Sequence, residues 1–220
     1  EGVVAPELND IFDGFDLYRH QVEAIKKGVQ DQSFIVTSGT GSGKSLTFLA
    51  TIFSDLLKNT GTSGVKAILV YPMNALINSQ EEEIKKYAEN YKERNNGEEF
   101  PITFAKYTGQ EAGQERNVVR DNPPDILLTN YMMLELMMTR ASEDGLRASI
   151  FESLKYLVFD ELHTYRGRQG ADVSLLIRRI QSKSVNNIIC IGTSATMASG
   201  GTLKEQKLVV ASVGKQIFDK

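Results

Sequence analysis

The sequence predicts an α/β fold: a mainly parallel sheet with helices on both faces. Two observations carry that expectation. Short continuous apolar runs such as Ala67–Tyr71 (AILVY) and Tyr156–Phe159 (YLVF) have the pattern of strands buried on both sides, and they alternate with amphipathic helical stripes. The run Phe34-Ile35-Val36 empties into the glycine-rich segment Ser38–Ser45, after which a helical pattern begins. Strand, glycine-rich turn and helix is the setting in which a phosphate-binding loop is physically credible.

The elements follow in order. The first ten residues are polar and read as a lead-in. Tyr18, Val22, Ile25 and Val29 form a helical stripe over Tyr18–Gln30, and a strand covers 34–37. The next helix carries Leu46, Leu49, Phe53, Leu56 and Leu57 and stops near Asn59-Thr60-Gly61. Strand Ala67–Tyr71 ends at Pro72. A charged helix then runs over 74–94, with Glu81–Glu83 and Lys85-Lys86 on a solvated face, until Asn95-Asn96-Gly97 breaks it. A strand at Ile102–Tyr107, a short polar helix at 111–121 and the turn Asp121–Pro124 lead to strand Ile126–Thr129. The helix over 131–139 is rich in methionine, and Met132, Met133, Met137 and Met138 read as core filler. Ser142–Gly145 is a loop, followed by a short helix towards Ser153, strand Tyr156–Phe159, and a helix over 171–182 striped by Val173, Leu176, Ile177 and Ile180. Strand Ile188–Ile191 and a helix at 203–213 close the pattern. No internal repeat or linker interrupts it, so one α/β domain spans 1–220.

Composition narrows the function classes. At 220 residues, 41% hydrophobic and 24% charged, the chain can bury a full core. Its formal net charge of −3 excludes a uniformly basic nucleic-acid-binding body, so any such contact must be a local patch or use backbone groups. The single Cys190 lies in an apolar run and reads as core; it excludes an internal disulfide, and two histidines and one cysteine make no metal cluster. Without a signal peptide or an apolar span of about 20 residues, the expected location is cytoplasmic, with no membrane partner. A first residue of Glu1 rather than Met suggests a piece of a longer chain.

Two stretches carry chemistry. In Ser38-Gly39-Thr40-Gly41-Ser42-Gly43-Lys44-Ser45 the glycines allow the backbone to wrap an anion, and exposed N–H groups at the helix N-terminus cradle phosphates. Lys44 reaches the β- and γ-phosphates and the Ser45 hydroxyl ligates Mg²⁺. The first position, Ser38, departs from the glycine of the usual pattern. The second stretch is Asp160-Glu161-Leu162-His163, directly after an apolar strand. Asp160 is placed to hold Mg²⁺, and Glu161 to orient or deprotonate the attacking water. Lys44, Asp160 and Glu161 are the candidate catalytic residues, and Ser45 with Asp160 the candidate metal ligands. Adjacent carboxylates are common on surfaces, but a pair ending a buried strand is not.

With both stretches in view, the chain resembles the first RecA-like domain of a superfamily 2 DEAD/DEAH-box helicase. Leu17-Tyr18-Arg19-His20-Gln21 is similar to the Q motif. The resemblance implies that Gln21 reads the adenine edge of ATP, that Phe15 stacks on the base, and that Thr40, Gly41, Ser42, Gly43, Lys44 and Ser45 hold the phosphates. Tyr71-Pro72-Met73-Asn74-Ala75-Leu76 is similar to motif Ia, and Thr129-Asn130, with Thr108-Gly109 as the weaker match, to segments that grip a nucleic-acid backbone. These imply contacts at Pro72, Asn74, Thr108, Gly109, Thr129 and Asn130. Ser194-Ala195-Thr196 matches motif III, so His163, Ser194 and Thr196 are implied to couple the nucleotide to strand separation.

The run from Asp160 to Asp172 is similar to large bacterial helicases with a DUF1998 region, of the mitomycin-repair or phage-defence kind, which favours DNA over RNA. Two features depart from RNA-remodelling DEAD-box proteins: LYRHQ lacks their proline, and His163 replaces their final aspartate. The family's arginine fingers come from a second RecA-like domain, which these residues do not include. Two other classes stand beside this reading. A nucleotide switch such as a GTPase lacks support, since no Asn-Lys-x-Asp motif occurs; an ATP-binding scaffold without hydrolysis is at odds with intact Lys44, Asp160 and Glu161.

Overall fold

A computed structural model describes residues 4–14, 16–39, 43–165 and 167–194, together with Gly214, Ile217 and Phe218. Six strands form one sheet: β1 (Phe34–Thr37), β2 (Ala67–Tyr71), β3 (Phe104–Tyr107), β4 (Ile126–Asn130), β5 (Tyr156–Phe159) and β6 (Ile189–Ser194). Their order across the sheet is β1-β6-β5-β2-β4-β3, and every neighbouring pair is parallel. Eight α-helices accompany them among the described residues: α1 (Leu8–Ile11), α2 (Arg19–Val29), α3 (Lys44–Lys58), α4 (Asn74–Arg94), α5 (Gly113–Asp121), α6 (Tyr131–Thr139), α7 (Asp144–Ser153) and α8 (Gly167–Lys183).

Two apolar cores flank the sheet, and the period-2 alternation of each central strand feeds both. In β2, Ala67, Leu69 and Tyr71 join the core formed with α1–α4, while Ile68 and Val70 join the core formed with α5–α8. In β5, Tyr156 and Val158 go to the first and Leu157 and Phe159 to the second. This is the buried parallel sheet that the apolar runs predict. Cys190 is fully buried within the second core. On α4, Lys85 pairs with Glu82 at 2.8 Å and Glu81 at 3.6 Å on a solvent-facing side, contacts worth little to stability.

Several local expectations are corrected. The polar lead-in is packed: Ala5, Leu8, Ile11 and Phe12 are buried, and the Phe12 ring lies 5.9 Å from Phe53 and meets Tyr87 edge-on at 4.8 Å. Its apolar residues are spaced to present one face of a single turn to α3 and α4, a signal too short to stand out from its polar neighbours. Strand β3 begins at Phe104 rather than Ile102, α8 begins four residues before 171, and β6 extends to Ser194. Met133, Met137 and Met138 are core, but Met132 is 63% exposed. The helix expected at 203–213 lies outside the described residues.

The expected loop at Ser142–Gly145 is instead a 3₁₀ turn (Ala141–Glu143) running into α7, and it buries a charge. Glu143 is 1% exposed and accepts hydrogen bonds from Tyr107 Oη at 2.7 Å and Arg120 Nε at 3.0 Å, with a further Arg120 contact to its other oxygen. The group ties β3, α5 and the 3₁₀ turn together. Burial alone would raise the Glu143 carboxyl, but the hydrogen bonds from Arg120 and Tyr107 outweigh it and hold the carboxyl below its ordinary 4.5. A depressed carboxylate contributes stability above its unfolded value and loses it as pH falls through the folded one.

Arg120→Ala leaves that carboxylate uncompensated, so urea unfolding should show a loss of about 3 kcal/mol or more at neutral pH. In Glu143→Gln, the decline in stability between about pH 5 and pH 3 should be shallower than in the parent chain. Equal acid dependence of the two would mean that Glu143 is ionised alike in the folded and unfolded states.

Candidate nucleotide and nucleic-acid sites

Because all strands are parallel, every strand's carboxyl end opens on the same edge of the sheet, and the sequence-predicted residues fall along it. Those of β1, β5 and β6 supply one group, and those of β2, β3 and β4 another.

In the first group, β1 ends at Thr37 and α3 starts at Lys44. Lys44 Nζ donates to the carbonyls of Ser38 at 3.2 Å and Gly39 at 3.0 Å. Gly43 precedes the helix at φ +67°, a left-handed conformation that glycine adopts without strain. A Cβ there would also sit 2.6 Å from Gln21 Nε2. Gln21 is buried; its Nε2 donates to the Gly43 carbonyl at 2.9 Å and its Oε1 accepts from the Tyr18 N–H at 2.8 Å. The start of α2 is therefore bound directly to the end of the glycine-rich loop. Ser45 lies half-buried in the first turn of α3, whose leading N–H groups lack intrahelical partners. Phe15, Thr40, Gly41, Ser42 and Thr196 lie outside the described residues.

Asp160 follows β5, and its N–H donates to Val70 O of β2 at 2.9 Å. Burial pushes its carboxyl above the ordinary 3.8; the Thr193 hydroxyl, which donates to it, opposes that rise, neighbouring Glu161 adds to it, and Lys44 opposes it. Thr193, fully buried on β6, also accepts from the Glu161 N–H at 3.2 Å. Glu161 takes φ +51°, left-handed backbone that a non-glycine residue adopts only where its surroundings impose it. His163 Nδ1 lies 3.0 Å from Ser194 Oγ and 3.0 Å from Glu161 Oε2, while Ser38 N donates to Ser194 O at 3.3 Å. The carboxylate pair, the histidine and the end of β6 thus form one bonded unit. Thr193 was not expected; its only signal is a hydroxyl residue inside an otherwise apolar strand.

This donor set would fit a magnesium ion: one hydroxyl and one half-buried carboxylate oxygen beside the glycine-rich loop. Among the described residues no group of three or more His, Cys, Asp or Glu side chains could hold a metal unaided. A cation here would therefore share its coordination with phosphate and water.

The second group lines a cleft of about 590 Å³ at the ends of β2, β3 and β4. Pro72, Asn74, Thr108, Gly109 and Asn130 come together there. Asn130 caps α6 by accepting from Met133 N at 2.8 Å, and its Nδ2 donates to Asn74 Oδ1 at 3.0 Å. Thr129 departs from the expectation, because it is fully buried and its hydroxyl donates to Tyr107 O at 2.6 Å; its role is to hold β3 against β4. The Thr108 and Gly109 N–H groups donate to the Glu111 carboxylate at 2.9 and 2.8 Å. Sequence reasoning did not single out four further lining residues as contacts: Tyr71, which opens the motif Ia match, Tyr165, within the Asp160–Asp172 run, and Arg116 and Arg140, which belong to no motif. The hydroxyls of Tyr71 and Tyr165 and Nε of Arg116 are buried without a hydrogen-bond partner, each at a typical cost of about 1–3 kcal/mol.

Comparison with known proteins gives the family. The DEAD/DEAH box helicase family matches over residues 18–203. An ATP-dependent helicase of Methanocaldococcus jannaschii, MJ1574, is 34% identical over 198 residues, covering 87% of this chain and 28% of the relative. The Druantia protein DruE of Escherichia coli is 26% identical, covering 83% and 16%. A crystal structure of the DUF1998 helicase MrfA bound to DNA covers all of this chain and 27% of its own, at TM-score 0.81 and 25% identity. The Mycobacterium smegmatis helicase Lhr, bound to single-stranded DNA and AMP-PNP, covers 89% and 25%, at TM-score 0.78 and 25% identity. The chain thus spans less than a third of the length of each of these proteins. It belongs to the DEAD/DEAH box helicase family.

Proposed function

We propose that the chain is the ATP-binding motor domain of a nucleic-acid helicase or translocase, in which hydrolysis at the ends of β1, β5 and β6 drives movement of a strand lying over the ends of β2, β3 and β4. The observation that carries this reading is the single bonded unit of Asp160, Glu161, Thr193, His163 and Ser194 facing Lys44 across the loop. Lys44 holds the β- and γ-phosphates, Gln21 selects adenine, and Glu161 orients the attacking water and takes its proton. Ser45 and Asp160 would hold Mg²⁺, which neutralises charge developing on the phosphates. His163, through Ser194, and Thr196 link the state of the nucleotide to the strand site. Phe15 stacks on the base, and Thr40 to Ser42 complete the phosphate loop.

DNA is the favoured substrate, supported by the extended sequence after Asp160 and by the DNA-bound structures of similar helicases. A second RecA-like domain of the same protein would supply arginine fingers, worth about 10³–10⁵ in rate. These 220 residues alone should therefore bind ATP weakly and hydrolyse it slowly, at well below about 1 s⁻¹ even with single-stranded DNA. No described helix is long and apolar enough to cross a membrane.

Lys44→Ala should lower ATP turnover by about a hundredfold or more, measured as phosphate release. Gln21→Ala should reduce the preference for ATP over GTP in competition binding by about tenfold; an unchanged preference would return the chain to the class of unspecialised nucleotide switches. Thr193→Val removes the groups that fix Asp160 and Glu161 without touching nucleotide, so kcat should fall about ten- to a hundredfold with KM little changed.

A further inference from the structure

Strand β6 ends in three residues that each hold a different part of the turn after β5. Thr193 accepts from the Glu161 N–H at 3.2 Å and donates to Asp160, and Ser194 Oγ lies 3.0 Å from His163 Nδ1. The first of the three, Gly192, has no side chain to offer, and receives one instead. A Cβ there would overlap Leu162 Cδ1 and lie 3.1 Å from Leu162 Cγ and 3.2 Å from Phe218 Cζ. Leu162 stands between Glu161 and His163, is 1% exposed, and belongs with Phe218 and Cys190 to the core formed with α5–α8.

Conformation does not call for glycine at this position. Gly192 keeps ordinary strand backbone, in parallel register with Ile35 of β1 and Phe159 of β5. Glycine inside a strand weakens it, and its use there marks a close approach. Room for Leu162 is the reason it is here. The far end of the turn is held as tightly: in α8, a Cβ at Gly170 would meet the Tyr165 carbonyl oxygen at 2.9 Å, again without left-handed backbone at the glycine.

What Leu162 carries gives this packing its consequence. Thr164 N and Tyr165 N donate to Glu161 O at 2.9 Å and Leu162 O at 3.1 Å, so the turn moves as one piece. An interior packed to crystal density has no second place for a leucine side chain displaced from β6. Displacing it shifts Glu161 and His163 and draws the Glu161 N–H away from Thr193. We infer that Gly192 is a positioning residue for hydrolysis: the space above it seats Leu162, and the seated Leu162 sets where the Glu161 carboxylate and the His163 ring lie. Gly170 fixes the other end of the same turn. This rests on the reading of Glu161 as the group that orients the attacking water. Ser38 N donates to Ser194 O at 3.3 Å, so distortion of β6 itself would reach the phosphate loop, whereas displacement of the turn alone would not. Nucleotide affinity therefore separates the two.

The test is ATP turnover by the chain and its variants, followed as phosphate release over a range of ATP, beside their affinity for a fluorescent ATP analogue. Gly192→Ala should lower kcat about ten- to a hundredfold, the scale of a catalytic group misplaced by about 1 Å, with KM and analogue affinity little changed. Leu162→Ala vacates the space that the new methyl needs. The double variant Gly192→Ala with Leu162→Ala should therefore turn over no more slowly than Leu162→Ala alone. A residue that matters only for stability would leave kcat at the parent value below the melting temperature.

If Gly192→Ala matches the parent in kcat while Lys44→Ala is still slowed, this inference falls and the ATPase reading stands. Losses that multiply in the double variant, together with weakened analogue affinity, place the damage in β6 and overturn the inference as well. If Gly192→Ala shows no cooperative melting, Gly170→Ala takes its place: a lowered kcat at unchanged analogue affinity supports the inference, and turnover like the parent's overturns it. A parent chain that binds the analogue and releases no phosphate from ATP overturns both readings.

Discussion

Parallel pairing is the constraint on which the rest of the molecule depends. Each of the five strand pairs is parallel, so each connection must return over one face of the sheet, and each strand must deliver its carboxyl end to a single edge. The glycine-rich loop, the Asp160–His163 turn and the Ser194 end leave from β1, β5 and β6, which the strand order places side by side. Most cleft residues leave from β2, β4 and β3, which occupy the other half, and Tyr165 and Gln169 reach it from the segment after β5. Residues scattered from Gln21 to Ser194 meet because the sheet collects them, with no dedicated scaffold for either site.

The turn after β5 is where that economy carries a conformational cost. Glu161 must leave a buried strand, keep its N–H bonded and bring its carboxylate back beside His163, and it does so with left-handed backbone. Such a conformation persists only when the surroundings over-determine it. Here the surroundings are Thr193, which receives the Glu161 N–H while donating to Asp160, and the hydrogen bond from Asp160 N to β2. A buried threonine on β6 therefore stabilises two carboxylate positions in the turn after β5. Ile or Val there would keep the strand's packing and lose both bonds.

Strand and helix identity was legible wherever burial on both faces produced an unbroken apolar run or a clean 3.6-residue stripe, as in β2, β5 and α3. The phosphate loop and the carboxylate pair were equally legible, because each chemistry demands particular residue types at fixed spacing. What escaped was set by tertiary neighbours. Glu143 reads as a loop acid, and only the approach of Arg120 and Tyr107 from other elements makes its burial affordable. Thr129 reads as a backbone-gripping hydroxyl, but β3 lies close enough to claim it. In each case the local sequence is correct about polarity and silent about the partner.

The net charge of −3 looks at first like an obstacle to a polyanion-binding protein. At physiological ionic strength, however, exposed charges are screened beyond about 8 Å, so most acidic residues of α4 count for little at the cleft, although Glu83 is near enough to raise the Tyr71 phenol. What matters is which charges lie within that distance and how dry they are. The cleft wall has no carboxylate. Glu111, the nearest acid in sequence, is bound by Thr108 and Gly109, and Glu143 is neutralised by Arg120 beneath the wall. Glu111 and Glu143 are thus bonded to the protein's own donors, while Asp160 and Glu83 act on the cleft residue Tyr71 from outside the lining. The buried Arg120–Glu143 pair thus has two consequences: it braces β3 against α5, and it keeps a negative charge from reaching the surface over which a nucleic-acid strand would pass.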